Sequence, residues 1–217
     1  MDVHATEEEQ IEAIKKWWRD NWKALFGGIL LGLGLLYGGR AWFQQKDNYA
    51  ASASVEFEAM VQAAGSDKKT EAGEFAAKLL GQYTDTPYAV MASFAMAKIK
   101  VEEKDLQTAK IHLRWALEHT TRPAFKHIAR LRLARVMLAE GGLDEALSQL
   151  SNLDTGTYTS SYEELKGDIY LSKGDVDLAR TAYKLALVSM DTSSRGREIV
   201  EMKLDDLGES PVPTSAS

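Results

Sequence analysis

The sequence predicts an all-α protein in which an N-terminal single transmembrane helix is followed by a solenoid of helical hairpins with a C-terminal capping helix. Three observations predict it. Nineteen of the twenty residues from Ala24 to Phe43 (ALFGGILLGLGLLYGGRAWF) are apolar or Gly, and at ~1.5 Å rise per residue such a helix covers about 30 Å, the hydrocarbon thickness of a bilayer. From about Asn48 onward, Ala-rich amphipathic segments alternate with short polar breaks, with no β-branched alternating run. The segments also recur in pairs: Ala179 follows Ala146 by 33 residues, and Gly174 follows Gly141 by 33, a period typical of helix-turn-helix solenoids. The expected order is an N-terminal segment (1–23), a transmembrane helix (24–43), a repeat domain (44–207) and a disordered tail (208–217) containing Pro211 and Pro213.

The first segment places Ile11, Ile14, Trp18 and Trp22 at helical spacing behind a cluster of acids. It reads either as an amphipathic helix on the inner membrane surface or as a loosely ordered tail whose charges set topology. For the span, a cleaved secretory signal is the rival. An acid-rich lead of about twenty-three residues and a bulky exit, Arg40-Ala41-Trp42-Phe43, favour an uncleaved anchor. Trp17, Trp18 and Trp22 on one side and Tyr37, Trp42 and Phe43 on the other resemble interfacial aromatic belts. Gly28 with Gly32, and Gly34 with Gly38, form Gly-x-x-x-Gly pairs that let a neighbouring helix approach, either a copy of itself or another membrane protein. Lys15, Lys16, Arg19 and Lys23 precede the span, against Arg40 and Lys46 after it, so the N-terminus is expected inside and the repeat domain outside.

Breaks at 65–69, 84–87, 102–105, 119–123, 141–143, 154–160, 173–175 and 191–194 imply about nine helices. In the last unit, GDIYLSKGDVDLARTAYKLAL, small residues (Gly167, Gly174, Ala179, Ala186) let two helices touch while Tyr170 and Tyr183 fill the gap. The preceding unit sets Ala134, Met137, Gly141, Ala146, Leu150 and Leu153 at the same offsets. Before it come Ala97, Lys100, Lys104, Ala109, Leu113 and Ala116, with a few residues inserted near the 119–123 turn. The segment 195–207 is expected to cover the last hairpin's apolar face.

These hairpins resemble the tetratricopeptide repeat, most clearly in the last unit and least before Pro87; Thr84-Asp85-Thr86-Pro87-Tyr88-Ala89 looks like a junction between units. The whole layout, an acidic head, IEAIKKWW, one Gly-rich span, EELKGDIYLSKGD and a closing MKLDDL, resembles the bacterial ancillary SecYEG translocon subunit (YfgM) family. That resemblance implies a bacterial inner-membrane anchor with a periplasmic repeat domain. It also implies association with the SecYEG translocon and the periplasmic chaperone PpiD, and the handing of emerging secretory polypeptides to the periplasmic chaperone network. Two other readings remain open: a homo-oligomeric inner-membrane adaptor organising another envelope complex, and a cytosol-facing repeat receptor if topology is inverted.

No enzyme signature is present, and no catalytic residue, cofactor or metal site is expected. There is no cysteine, hence no disulfide or thiolate site. Net charge is −6, and from Ala41 onward 21 Lys and Arg face 26 Asp and Glu, which argues against a general nucleic-acid binder. His4, His112, His119 and His127 are expected as solvated surface residues; His112 and His119, seven apart, are too far apart to share a metal directly. A partner groove is the stronger functional candidate. Projecting the inward offsets of tetratricopeptide units selects Met91, Phe94 and Lys98, then Ile128, Leu131 and Arg135, then Glu164 and Asp168; the alternative is that Phe94, Ile128 and Leu131 are packed core. Residues 110–135 carry seven Lys and Arg against one Glu, whereas 138–168 carry seven acids against Lys166. Either the two blocks pair across stacked hairpins, or Arg130, Arg132 and Arg135 attract an acidic partner or anionic lipid.

Overall fold

The computed structural model describes residues 7–191 and 196–208. Among them are nine α-helices, one short 3-10 turn and no strand. The expected disordered tail from 209 onward and His4 lie outside the described residues. The chain divides into two compact units, with the boundary between Ser52 and Ala53.

Helix α1 (Glu7–Gly65) runs without a break, so neither 23 nor 44 is an element boundary, and the head is part of the same helix as the apolar stretch. This helix is long and apolar enough to cross a membrane. Its apolar side chains, Leu30, Leu31, Leu35 and Leu36 among them, are exposed. At the exit, the Lys46 ammonium lies 4.2 Å from the Trp42 ring centroid, an amphipathic pairing suited to a headgroup layer.

The second unit is built from hairpins. The end of α1 from Ala53 pairs with α2 (Lys69–Gln82), α3 (Pro87–Glu102) with α4 (Leu106–His119), α5 (Pro123–Ala139) with α6 (Leu143–Leu150), and α7 (Thr159–Lys173) with α8 (Val176–Val188). Helix α9 (Arg197–Asp205) closes the array on α8, shorter than the expected 195–207. Its fully buried Val200 joins Ala179, Tyr183 and Ala186. Local chemistry starts several helices. Thr86 accepts a hydrogen bond from the Ala89 N–H (3.3 Å) with Pro87 at the first helical position, Asp105 caps α4 through the Thr108 N–H (3.1 Å), and Pro123 opens α5.

All four hairpins turn in the same way. Asp67, Lys104, Gly141 and Gly174 each adopt positive φ (59, 61, 82 and 84°). After each, the next N–H bonds to a carbonyl five residues back: Lys68 to Ala63, Asp105 to Lys100, Gly142 to Met137 and Asp175 to Tyr170, at 2.8–3.0 Å. This is a left-handed helix terminus that satisfies the carbonyls orphaned at a helix end. Five residues beyond each turn stands a fully buried alanine: Ala72, Ala109, Ala146 and Ala179. The array therefore has a unit before Pro87 as regular in its turn as the others. At Lys104 a side chain occupies a conformation that glycine enters without steric cost. Lys104→Gly is expected to raise stability by about 1 kcal/mol, measured as a higher midpoint in chemical denaturation.

Two apolar clusters run along the array, one joining the end of α1 with α2 and α3, the other joining α3 through α7, and Trp115 packs against both. His112 is half-buried beside them, and its carbonyl accepts a hydrogen bond from the fully buried Ser93 hydroxyl (2.7 Å). Burial, aided by the nearby Lys100 charge, holds the His112 imidazole below its ordinary pKa. The unfolded chain then binds the proton more readily than the folded one. Stability is accordingly level above about pH 6.5, the ordinary histidine value, and falls as pH drops from there toward the depressed folded pKa. His112→Gln should flatten that slope between about pH 6.5 and pH 5, read from thermal melts.

Candidate functional site: an apolar pocket with an arginine rim

Helices α3, α4 and α5 enclose a pocket of about 470 Å³. One wall is α3, contributing Phe94, Ala97, Lys98, Val101 and Glu102; the opposite wall is α5, contributing Arg132, Arg135, Val136 and Ala139; Leu106 and Leu113 of α4 line it as well. Alternating packing demands explain the arrangement. Leu106, Ala109, Leu113 and Ala116 form one stripe on α4, in which Ala109 and Ala116 pack into the core and Leu113 belongs to both that core and the pocket wall.

Two guanidinium groups bracket an aromatic pair. Phe94 and Phe125 meet edge to face at 6.0 Å, Arg132 lies 5.0 Å from the Phe94 centroid and Arg122 5.7 Å from that of Phe125. Lys98 reaches Glu102 at 3.7 Å. Neither Arg132 nor Arg135 has a carboxylate partner among the described residues. Partial burial, with the neighbouring Arg135 charge adding to it, lowers the Arg132 pKa from its ordinary value, so the rim is a site where positive charge is left unneutralised.

Of the sequence-selected residues, Phe94, Lys98 and Arg135 come together at this pocket; Met91, Ile128 and Leu131 do not line it. Leu131 is 6% exposed within the larger core, Ile128 packs against that core and Met91 is half-buried. Arg132, Val136 and Ala139 complete the wall instead, and their spacing of four and three residues is a helical stripe that sequence alone displays. Glu164 and Asp168 serve the end of the array: the Lys203 ammonium of α9 donates to Glu164 (2.7 Å) and Asp168 (2.9 Å), and the Tyr183 hydroxyl donates to Asp168 (2.8 Å). Burial opposes the Lys203 charge, but these carboxylates outweigh it and raise its pKa. Burial, reinforced by Asp168, also raises that of the Tyr183 phenol.

His119 keeps the expected exposed position, whereas His112 and His127 are half-buried. His119 stacks on Trp115 at 4.1 Å, and His127 stacks on Tyr158 at 4.6 Å while its Nδ1 meets the Tyr162 hydroxyl at 3.0 Å. No group of His, Asp and Glu among the described residues is arranged to hold a metal. Between the basic and acidic blocks, the only ion pair among the described residues is Lys110 with Glu140. In α1, a Cβ built on Gly28, Gly32, Gly34 or Gly38 meets open space.

A family model described as a tetratricopeptide repeat-like domain matches residues 15–209. A protein of Escherichia coli named ancillary SecYEG translocon subunit is 32% identical over 95% of this chain and 99% of its own length. The chain belongs to the ancillary SecYEG translocon subunit family. Relatives of the same name from Aggregatibacter actinomycetemcomitans (30% identical, 93% of this chain and 97% of the relative) and Haemophilus influenzae (29%, 95% and 100%) match it over similar lengths. No solved structure matches. Family membership accords with the all-α hairpin architecture, and the relatives are named for a subunit role rather than for a reaction.

Proposed function

We propose that this chain is a non-enzymatic ancillary subunit of the Sec translocon in a bacterial inner membrane. Residues 24–43 span the bilayer with the N-terminus cytoplasmic, and the repeat domain stands in the periplasm. There it docks a membrane-anchored chaperone of the PpiD kind and emerging secretory polypeptides, linking the translocon to the periplasmic chaperone network. The observation that carries this reading is the shared name of relatives aligned over nearly their whole length. The apolar stretch of α1 and the excess of Lys and Arg before it support the anchor and its orientation.

The test is photocrosslinking from Leu31, in the span, in intact inner membranes, with protease protection of the repeat domain in spheroplasts. Translocon subunits captured from Leu31, and a repeat domain cut only from the periplasmic side, are the expected results. Capture of unrelated proteins alone, or cleavage only from the cytoplasmic side, would overturn the reading. A second reading, self-association through the span, is favoured by the Gly-x-x-x-Gly spacing of Gly28 with Gly32 and of Gly34 with Gly38. It predicts self-crosslinks from Leu31 that vanish when these glycines become Leu.

A further inference from the structure

We infer that the pocket between α3 and α5 takes a protein segment in which an apolar side chain stands next to a carboxylate, an inference that rests on the docking role proposed above and gives it a recognition chemistry. The pocket interior is apolar, with Phe94, Leu113 and Val136 presenting no polar group to an occupant, and Val101 on its wall is 41% exposed. Apolar surface left in water beside a cavity of this size gains from an aliphatic or aromatic side chain that displaces the water.

The rim then selects what flanks that side chain. Glu102, which also lines the pocket, is engaged by Lys98, while Arg132 and Arg135, one turn apart on α5, make no ion pair among the described residues. Two unneutralised guanidinium groups offer planar, bidentate donors to a carboxylate. They also repel a basic segment, so the same rim supplies both attraction and exclusion. Arg132 lies over the Phe94 ring at 5.0 Å from its centroid, a cation–π contact that reduces the conformational freedom this arginine would lose on binding. An anionic lipid headgroup would satisfy the rim but would leave the apolar interior empty unless an acyl chain left the bilayer. A polypeptide supplies both halves from adjacent residues.

The experiment uses the full chain in detergent micelles and two fluorescent peptides with the same Leu-Phe core, one flanked by Glu and one by Lys, read by anisotropy. The Glu-flanked peptide should bind, more weakly as salt rises from about 50 to about 500 mM, and the Lys-flanked peptide should bind at least about tenfold more weakly. Arg135→Glu and Val101→Asp change exposed residues. Each should lower affinity for the Glu-flanked peptide about tenfold with an unchanged circular dichroism spectrum. Equal binding of the two peptides, or binding indifferent to both substitutions, would overturn the inference. So would binding of neither peptide together with Arg135-dependent binding of a soluble short-chain phosphatidylglycerol, which would make lipid the occupant. Failure here with translocon crosslinks from Leu31 intact removes the pocket and leaves the functional reading standing; selective peptide binding without those crosslinks removes the Sec assignment and leaves the pocket.

Discussion

Gly167→Ala lowers the melting temperature of the repeat domain by roughly 4–8 °C, the shift expected from a loss of about 2 kcal/mol in a domain of this size. A Cβ at this position would lie 2.3 Å from Cε1 and 2.5 Å from Cδ1 of Tyr183, well inside van der Waals contact. The ring has no room to retreat, because Tyr183 is fully buried and its hydroxyl is held by Asp168 at 2.8 Å. Overpacking of this kind costs about 1–3 kcal/mol, occasionally more; three ring atoms within 3 Å put this site at the upper end, and after the roughly 1 kcal/mol returned by alanine's better helix propensity a net loss of about 2 remains. Corresponding positions in the other hairpins hold Met60 with Ala76, Ala97 with Leu113, and Ala134 with Leu150. In each, a larger residue stands against a smaller one, and the last hairpin takes this exchange to its limit with Gly and Tyr. Shrinking the partner therefore restores space: Gly167→Ala combined with Tyr183→Leu should melt above the sum of the two single losses. Strict additivity in that cycle would show that the two positions do not share one packing site.

Leu131→Ala should cost about 3 kcal/mol, whereas Arg135→Ala, one turn later on the same helix, should change stability by less than about 0.5. Leu131 is 6% exposed in the cluster that joins α3 through α7, so truncation leaves a cavity in that cluster. Arg135 is exposed and carries no ion pair among the described residues. Urea denaturation of the detergent-solubilised chain separates the two. A large loss for Leu131→Ala with little change for Arg135→Ala assigns Leu131 to the core and leaves Arg135 free for a partner. Equal, small effects would return Leu131 to the groove predicted from its repeat offset.

How far the site was legible follows from what each residue contributes to local pattern. Arg135 and Lys98 stand out because charge on an otherwise apolar stripe is visible without a structure. Leu131 and Val136 do not differ in kind and both belong to the core cluster, and only the direction each faces on α5 decides that Val136 also lines the pocket while Leu131 does not. The repeat offsets assume identical helix rotation in each unit, and the longer spacing from Lys104 to Gly141 than from Gly141 to Gly174 shows that the units are not identical.

The hairpin turns make the same division. Gly141 and Gly174 announce a left-handed terminus because glycine enters that conformation at no steric cost. Asp67 and Lys104 adopt it with ordinary side chains, held there by the same five-residue hydrogen bond and by the packing of Ala72 and Ala109. By itself, the sequence determined the all-α class, the apolar stretch long enough to cross a bilayer and the hairpin period, because each rests on hydrophobic patterning along the chain. Tertiary structure alone decided that the first unit is a full hairpin, that Gly167 must remain glycine, and that Arg132 and Arg135 crown an apolar pocket. Those properties depend on which side chains from distant helices meet, and a one-dimensional pattern carries no information about the gap between two packed surfaces.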